Sequence, residues 1–325
     1  MTNEDITRAV AVLRAGGLVA FPTETVYGLG ADASSAEAVK KVYAAKGRPR
    51  DHPLIVHVAE AAQVKEWARE VPDAAEHLAQ RYWPGPLTLI LKRGAHVSNL
   101  VTGGQDTVAL RVPSHRIARA MLLEFGSGVA APSANRYGRV SATTAEHVRS
   151  EFGDVVDCVL DGGASDVGIE STIVDLSGMK PALLRPGSIT LQQIEETLGQ
   201  PLALAGATSP RAPGTLAKHY APQTPLMLME ADLMLELASS MTRQGHKVAV
   251  LARSALQSLI PGVTWMAAPR DPAGYAHELY ASLRALDQTG CSAILVEQPP
   301  PEPAWAAIRD RLMRAAAGSA TPDAT

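Results

Sequence analysis

Seven short apolar runs recur through the first two hundred residues: LVAF (18–21), LIVHV (54–58), LTLIL (87–91), TVALRV (107–112), GVAA (128–131), STIVDL (171–176) and ALLR (182–185). Each has the length of a strand, and segments with helical spacing lie between them. Strands interleaved with helices predict an α/β domain in which helices cover a twisted sheet. Ile6, Val10 and Leu13 mark the first helix, and Gly16-Gly17 stops it. Ser34 followed by Glu37 predicts a capping box, opening a helix whose inner face carries Val39, Val42 and Tyr43. The stretch PTETVYGLG (22–30) reads as a hydroxyl- and glycine-rich turn after a buried strand.

The pattern changes near residue 200. Residues 203–225 hold four prolines and no sustained period, which predicts a long linker. Beyond it, LMLM (226–229), KVAVL (247–251), VTWMA (263–267) and SAILVE (292–297) alternate with helical segments near 231–243, 272–289 and 303–317. That alternation predicts a small parallel, Rossmann-like sheet, and the absence of GxGxxG leaves it without a dinucleotide assignment. The expected organisation is therefore 1–202, a linker 203–225, a smaller domain 226–318 and a disordered polar tail 319–325.

Composition removes several classes of function. A hydrophobic fraction of 46% with 19% charged residues excludes wholesale disorder. No apolar run approaches the ~18 residues of a membrane span, and MTNEDITRAV does not read as a signal peptide. A net charge of −3 provides no global field for nucleic acid. Two cysteines, Cys158 and Cys291, cannot build a four-thiolate zinc site, and the expected compartment is the reducing cytoplasm.

Four local features carry candidate chemistry. PTETVYGLG follows a strand end, where α/β sheets place ligands, although its threonines could equally satisfy their own backbone. AKGRPRDHPLIVHV (45–58) gathers Lys46, Arg48, Arg50, His52 and His57 without a surplus of carboxylates. Cations at a helix end are favoured by its dipole; unpaired, they also suit a polyphosphate. A lone His57 reads most simply as a core histidine. In TVALRVPSH, alternation puts Thr107, Ala109 and Arg111 on one face, and Arg111 needs a partner that either a structural or a substrate carboxylate could supply. APSANRYGRVSATT (131–144) offers Ser133, Asn135 and Ser141 as a possible phosphate cradle, and Ser171 and Arg185 stand at later strand ends.

Taken together, Lys46-x-Arg48 and Ser133-x-Asn135, framed by PTETVYGLG, WPGPLT (83–88) and GIESTIVD (168–175), resemble the YrdC-like family. The linker signature PGTLAKHYAP (213–222) resembles the family's long two-domain form, the threonylcarbamoyl-AMP (L-threonylcarbamoyladenylate) synthases. The resemblance implies a mixed-sheet YrdC-like catalytic domain and a nucleotidyltransferase. The implied reaction joins L-threonine, bicarbonate or CO2, and ATP, releasing pyrophosphate, for threonylcarbamoylation of the tRNA adenosine next to the anticodon. It implies that Thr25, His57, Arg111, the Ala131 backbone and Ser171 hold threonine. It further implies that Lys46, Arg48, His52, Thr107, Ser133, Asn135, Ser141 and Arg185 hold ATP, with Tyr220 closing over the nucleotide. Lys46, Arg48 and Arg185 would offset triphosphate charge, and Mg2+ would arrive with ATP rather than on a dedicated protein metal site. His52 departs from the family's usual Asn. The tRNA and a downstream threonylcarbamoyl transferase complex are further implied partners. Two rivals remain at this point: an RNA-binding module of the same fold, and a carbamoyl-adenylate enzyme, which should carry cysteine-rich fingers that this chain lacks.

Overall fold

Thr2 caps the first helix, α1 (Asn3–Arg14), in a reciprocal capping box with Asp5, and Ala9, Val10 and Leu13 form its buried stripe. The computed structural model to which this helix belongs describes residues 2–206, 209–254 and 260–319. The chain divides into two compact units: Met1–Tyr137 with Ala142–Thr215, and Gly138–Ser141 with Leu216–Thr325. The segment expected as a linker is shared, its first part belonging to one unit and its second part to the other. Residues 207–208 of that segment, and 320–325 of the expected tail, lie outside the described residues. Ser319, assigned to the tail by the sequence, is the last residue of a helix.

In the first unit the strands are β1 (Val19–Phe21), β2 (Gly28–Asp32), β3 (Ile55–His57), β4 (Leu87–Lys92), β5 (Thr107–Arg111), β6 (Val129–Ala130), β7 (Cys158–Val159), β8 (Thr172–Asp175), β9 (Ala182–Arg185) and β10 (Ala203–Leu204). The helices after α1 are α2 (Ala36–Lys46), α3 (Val64–Trp67), α4 (Asp73–Tyr82), α5 (Asn99–Thr102), α6 (Arg116–Phe125), α7 (Ala145–Phe152) and α8 (Leu191–Leu198). The strands form one mixed sheet in the order β10-β9-β8-β4-β5-β3-β6-β2-β1-β7. Alternation along the central strands sorts the side chains onto two faces. Val56, Leu89, Leu91, Val108, Leu110 and Val174 join the large helix-covered core. Ile55, Ile90, Ala109, Ile173 and Leu184 form a smaller cluster on the other face, where Ala212 packs on them.

Two local expectations are corrected here. Residues 28–32 are a strand, not the end of a turn. A Cβ on Gly30 would meet Val129 at 2.6 Å and Phe21 at 2.8 Å, so this strand is glycine-rich because its neighbours approach closely, not because it bends. Nor do Ser34 and Glu37 form a capping box. Ser34 bonds back to Asp32, and Ser35 is the N-cap of α2, accepting from the Ala38 N–H. Strands β7 and β10, each two residues long, were not expected from the sequence.

The second unit contains β11 (Leu226–Met229), α9 (Ala231–Arg243), β12 (Val248–Ala252), β13 (Val263–Ala267), α10 (Pro272–Asp287), β14 (Ala293–Glu297) and α11 (Ala306–Ser319). Its four strands are all parallel, in the order β11-β14-β12-β13. Met234 and Ala238 of α9 pack on Val248, Val250, Ala252 and Leu295. Ala249, Leu251, Ile294 and Val296 point the opposite way and are equally buried.

The correction at α2 has a direct test. Ser35→Ala should lower stability by about 1 kcal/mol, the usual cost of a lost N-cap, and Ser34→Ala by clearly less. Chemical denaturation of both variants checks this; equal losses would return the cap to Ser34.

Candidate active site

Arg111 ends β5 on the sheet face that carries Ile55 and Ala109, beside His57 in register. The sequence left its partner open between a structural and a substrate carboxylate. The structure supplies a structural one: the guanidinium donates to Glu24 Oε1 at 2.8 Å, with side-chain exposures of only 4% and 6%. It also donates to Thr25 Oγ1 at 2.8 Å and to the Gly85 carbonyl at 3.3 Å. Three of its five N–H groups are thereby used, and two remain for a ligand. Glu24 further accepts from the Ser114 N–H at 3.1 Å, so the 22–27 turn is pinned to the end of β5. Thr23 stabilises the same turn through Thr25 Oγ1 and the Val26 carbonyl.

His57 is fully buried, edge-on to Phe21. Its Nδ1 has no hydrogen-bond partner among the described residues. Burial, and then the nearby Arg111 charge, push its pKa down to about 3, so the ring is neutral near pH 7. A buried, neutral, unpartnered ring nitrogen next to the spare donors of Arg111 is what a polar ligand would complete.

Further along the same sheet, Ser171 and Thr88 share a hydroxyl–hydroxyl hydrogen bond of 2.7 Å. Arg185, at the end of β9, donates to the Ser171 carbonyl at 2.9 Å and to its hydroxyl at 3.1 Å. Its other arm donates to the Pro213 carbonyl at 2.7 Å. Arg211 in turn donates to the Gly103 carbonyl at 2.8 Å. The 209–215 segment is therefore held over the site face by two arginines and by Ala212 in the apolar cluster.

The second group of residues gathers where α2 ends. Lys46 is buried, and its ammonium donates to the backbone carbonyls of Ser133, at 2.6 Å, and Asn135. Burial, with Arg48 adding to it, holds the Lys46 pKa well below the usual lysine range. Arg48 donates to the Pro53 carbonyl and lies over the Tyr137 ring. The Tyr137 hydroxyl is 3.0 Å from His52 Nδ1, and burial followed by Arg48 lowers the His52 pKa. Asn135 is buried and donates to the Arg136 carbonyl. Thr107, half-buried, opens β5 on the same face as Arg111, and the Ala131 N–H is tied to the Ile55 carbonyl.

The first unit thus brings together Thr25, His57 and Arg111, joins Ser171 to Arg185, and gathers Lys46, Arg48, His52, Ser133 and Asn135. Ser141 and Tyr220 belong to the second unit. Ser141 is buried there, and its carbonyl accepts from Arg284. The Tyr220 ring is buried, stacks on Tyr280 and carries Arg311 over its face. Sequence reasoning missed Glu24, Thr88 and Tyr137 as supporting residues. All three stand inside the motif strings quoted above, but nothing in a string shows that Glu24 reaches Arg111 across the sheet.

Two family models match the chain: one described as "Telomere recombination", the Sua5, YciO and YrdC model, over residues 11–187, and one described as the threonylcarbamoyl-AMP synthase C-terminal domain over 189–317. The threonylcarbamoyl-AMP synthase of Bacillus subtilis is 40% identical over 327 residues, covering 98% of this chain and 94% of its own. That of Pyrococcus abyssi is 39% identical over 318 residues, covering 94% of this chain and 92% of its own. The crystal structure of P. abyssi Sua5 complexed with L-threonine superposes with a TM-score of 0.91 at 38% identity, covering 98% of this chain and 96% of that one.

The buried histidine makes stability pH-dependent. An ordinary histidine titrates near 6.5 and His57 near 3, so between those values the unfolded chain binds the extra proton and acid favours unfolding. His57 should therefore contribute stability that is complete above about pH 6.5 and lost progressively as pH falls towards 3, at up to about 1.4 kcal/mol per pH unit. His57→Gln, which cannot titrate, should flatten the fall in melting temperature between pH 7 and pH 4. Parallel profiles for the two proteins would refute the assignment.

Proposed function

The chain belongs to the Sua5, YciO and YrdC family with the activity of a threonylcarbamoyl-AMP synthase, and we propose that its first unit joins L-threonine, bicarbonate or CO2, and ATP on the Arg111 face of the sheet. The observation that carries this reading is the dry cluster of Arg111, Thr25 and the unpartnered His57. Glu24 neutralises Arg111, so the pocket meets threonine as a near-neutral surface with two spare guanidinium donors. A zwitterion suits such a surface, with its carboxylate on Arg111 and Thr25 orienting that guanidinium.

In the proposed chemistry, the neutral threonine amine attacks the carbon of CO2, formed from bicarbonate with loss of hydroxide, and the amine gives up a proton that combines with that hydroxide as water, leaving an N-carboxylate. The new carboxylate oxygen then attacks the α-phosphorus of ATP. The bond from that phosphorus to the bridging oxygen breaks, and pyrophosphate leaves with its electron pair. No covalent enzyme nucleophile is required; the protein's part is positioning and charge neutralisation. Lys46, Arg48 and Arg185 would face the phosphates, with His52, Thr107, Ser133 and Asn135 as hydrogen-bonding groups. Mg2+ would arrive with ATP and would supply further charge neutralisation for the triphosphate beside Lys46, Arg48 and Arg185. A phosphate beside Lys46 would add to the counter-charge that Glu151 and Glu170 provide and would favour its charged form. Nucleotide contacts from Ser141 and Tyr220, and delivery of the product towards tRNA, rest on the family resemblance.

The match of the second unit to a synthase C-terminal domain favours this reading over a carbamoyl-adenylate enzyme. No helix among the described residues is long and apolar enough to cross a membrane.

Pyrophosphate release measured with each substrate omitted in turn should require ATP, L-threonine and bicarbonate together. Turnover at an equal rate without threonine would overturn the proposal. In calorimetry, Arg111→Lys should weaken threonine binding about tenfold or more, because an ammonium cannot serve Glu24, Thr25 and a ligand as a planar fork does. ATP affinity should be nearly kept. Unchanged threonine affinity would mean that Arg111 serves only Glu24.

A further inference from the structure

The second unit carries a cleft that the synthase chemistry does not use. Its volume of about 660 Å3 falls within the range of small-molecule sites. Three parallel strands end on it: Glu230 follows β11, Arg253 and Ser254 follow β12, and Glu297 with Pro299 to Pro301 closes β14. Helix α9 leaves β11 and packs on the Val248 and Leu295 face of the sheet. Helix α11 leaves β14 and packs against β11 and α10, beneath the opposite face. Neighbouring strands β11 and β14 therefore send their helices to opposite sides, and such a divergence opens the crevice where open α/β sheets take ligands.

The donors around this cleft are cationic and partly unused. The Arg253 guanidinium lies over the Trp305 ring, 5.6 Å from its centroid. Its Nε is buried without a partner among the described residues, and its terminal nitrogen reaches Glu297 only at 3.4 Å. Arg309 is oriented by the carbonyls of Pro300 and Glu302. The nearest carboxylate, Glu297, is already engaged: it accepts from the Arg253 N–H at 2.6 Å, the Ser254 N–H at 2.7 Å and the Ser254 hydroxyl. Glu230 is exposed at the rim. The thirteen-residue helix α9 has no side-chain cap at its amino end and carries Asp232 in its first turn; Ala231 there lines the cleft, and the uncapped N–H groups are available to an anion.

We propose that this cleft binds a phosphorylated small molecule of about nucleotide size, with its phosphate on Arg253, Arg309 and the amino end of α9. Two planar guanidinium groups and a helix dipole match a phosphate dianion better than a single carboxylate. The three consecutive prolines give the cleft a stiff wall.

Calorimetry of the full chain with 5′-AMP, inorganic pyrophosphate and citrate tests this. The titrations use an Arg48→Ala background, which weakens phosphate binding at the first unit, with and without Arg253→Lys or Arg309→Gln. At least one phosphate probe should bind in the background chain, and each cleft substitution should weaken it about tenfold or more. Binding should also perturb Trp305 fluorescence, read as the signal lost in Trp305→Phe. Should Arg253→Lys lower the melting temperature, Arg309→Gln decides alone. Failure of both phosphate probes to bind, equal affinity across the variants, or tighter binding of citrate than of either phosphate probe would overturn the proposal.

Discussion

Much of the first unit's geometry depends on one buried ion pair. A guanidinium on a sheet interior is tolerated only when its charge is met, and Glu24 meets that of Arg111 within a dry shell of protein. The pair ties three separate stretches together. Glu24 takes the Ser114 N–H through its carboxylate, and its backbone carbonyl takes the Val167 N–H. The turn after β1, the exit from β5 and the loop before β8 are therefore positioned by a single acidic residue. Threonine hydroxyls in that turn gain a fixed direction as a result, which a solvent-exposed turn would not give them.

Around this pair the unit tolerates polar groups at unusual depth. Lys46 keeps its ammonium on two backbone carbonyls, Arg185 keeps its guanidinium on Ser171 and Pro213, and His57 stays neutral. Burial of such groups is not an obvious source of stability, because well-packed apolar residues of similar size often serve as well or better. Their common feature is a polar or charged side chain held in the buried interior by backbone carbonyls and hydroxyls or left neutral, with His57 and Arg185 near the small apolar cluster.

Much of this was legible in the sequence, for physical reasons that differ from part to part. Central strands such as LTLIL and TVALR announce themselves because both faces are buried, so their apolar content is continuous. The alternation of Thr107, Ala109 and Arg111 placed the arginine on its face without any structure. Strand β2 was illegible because its small residues answer to Phe21 on the adjacent strand and to Val129, far along the chain, and neither contact shows in its own string. The cap of α2 was misread by one residue, since Ser34 and Ser35 are chemically alike and only backbone geometry separates them. Glu24 was hidden for a deeper reason: a pattern shows which face a residue occupies on its own strand, never which residue on another segment it meets.

The short excursion Gly138–Ser141 bears on modularity. These four residues lie in the middle of the first unit's sequence yet pack with the second. Their carbonyls are served from there: the Ala221 N–H reaches Gly138 at 2.8 Å, and Arg284 reaches both Val140 and Ser141. A truncation after residue 215 would remove these donors from the carbonyls of Gly138, Val140 and Ser141. The second unit is thus not an appendage joined at one point, and the chain offers no single peptide bond at which the two could be cleanly divided.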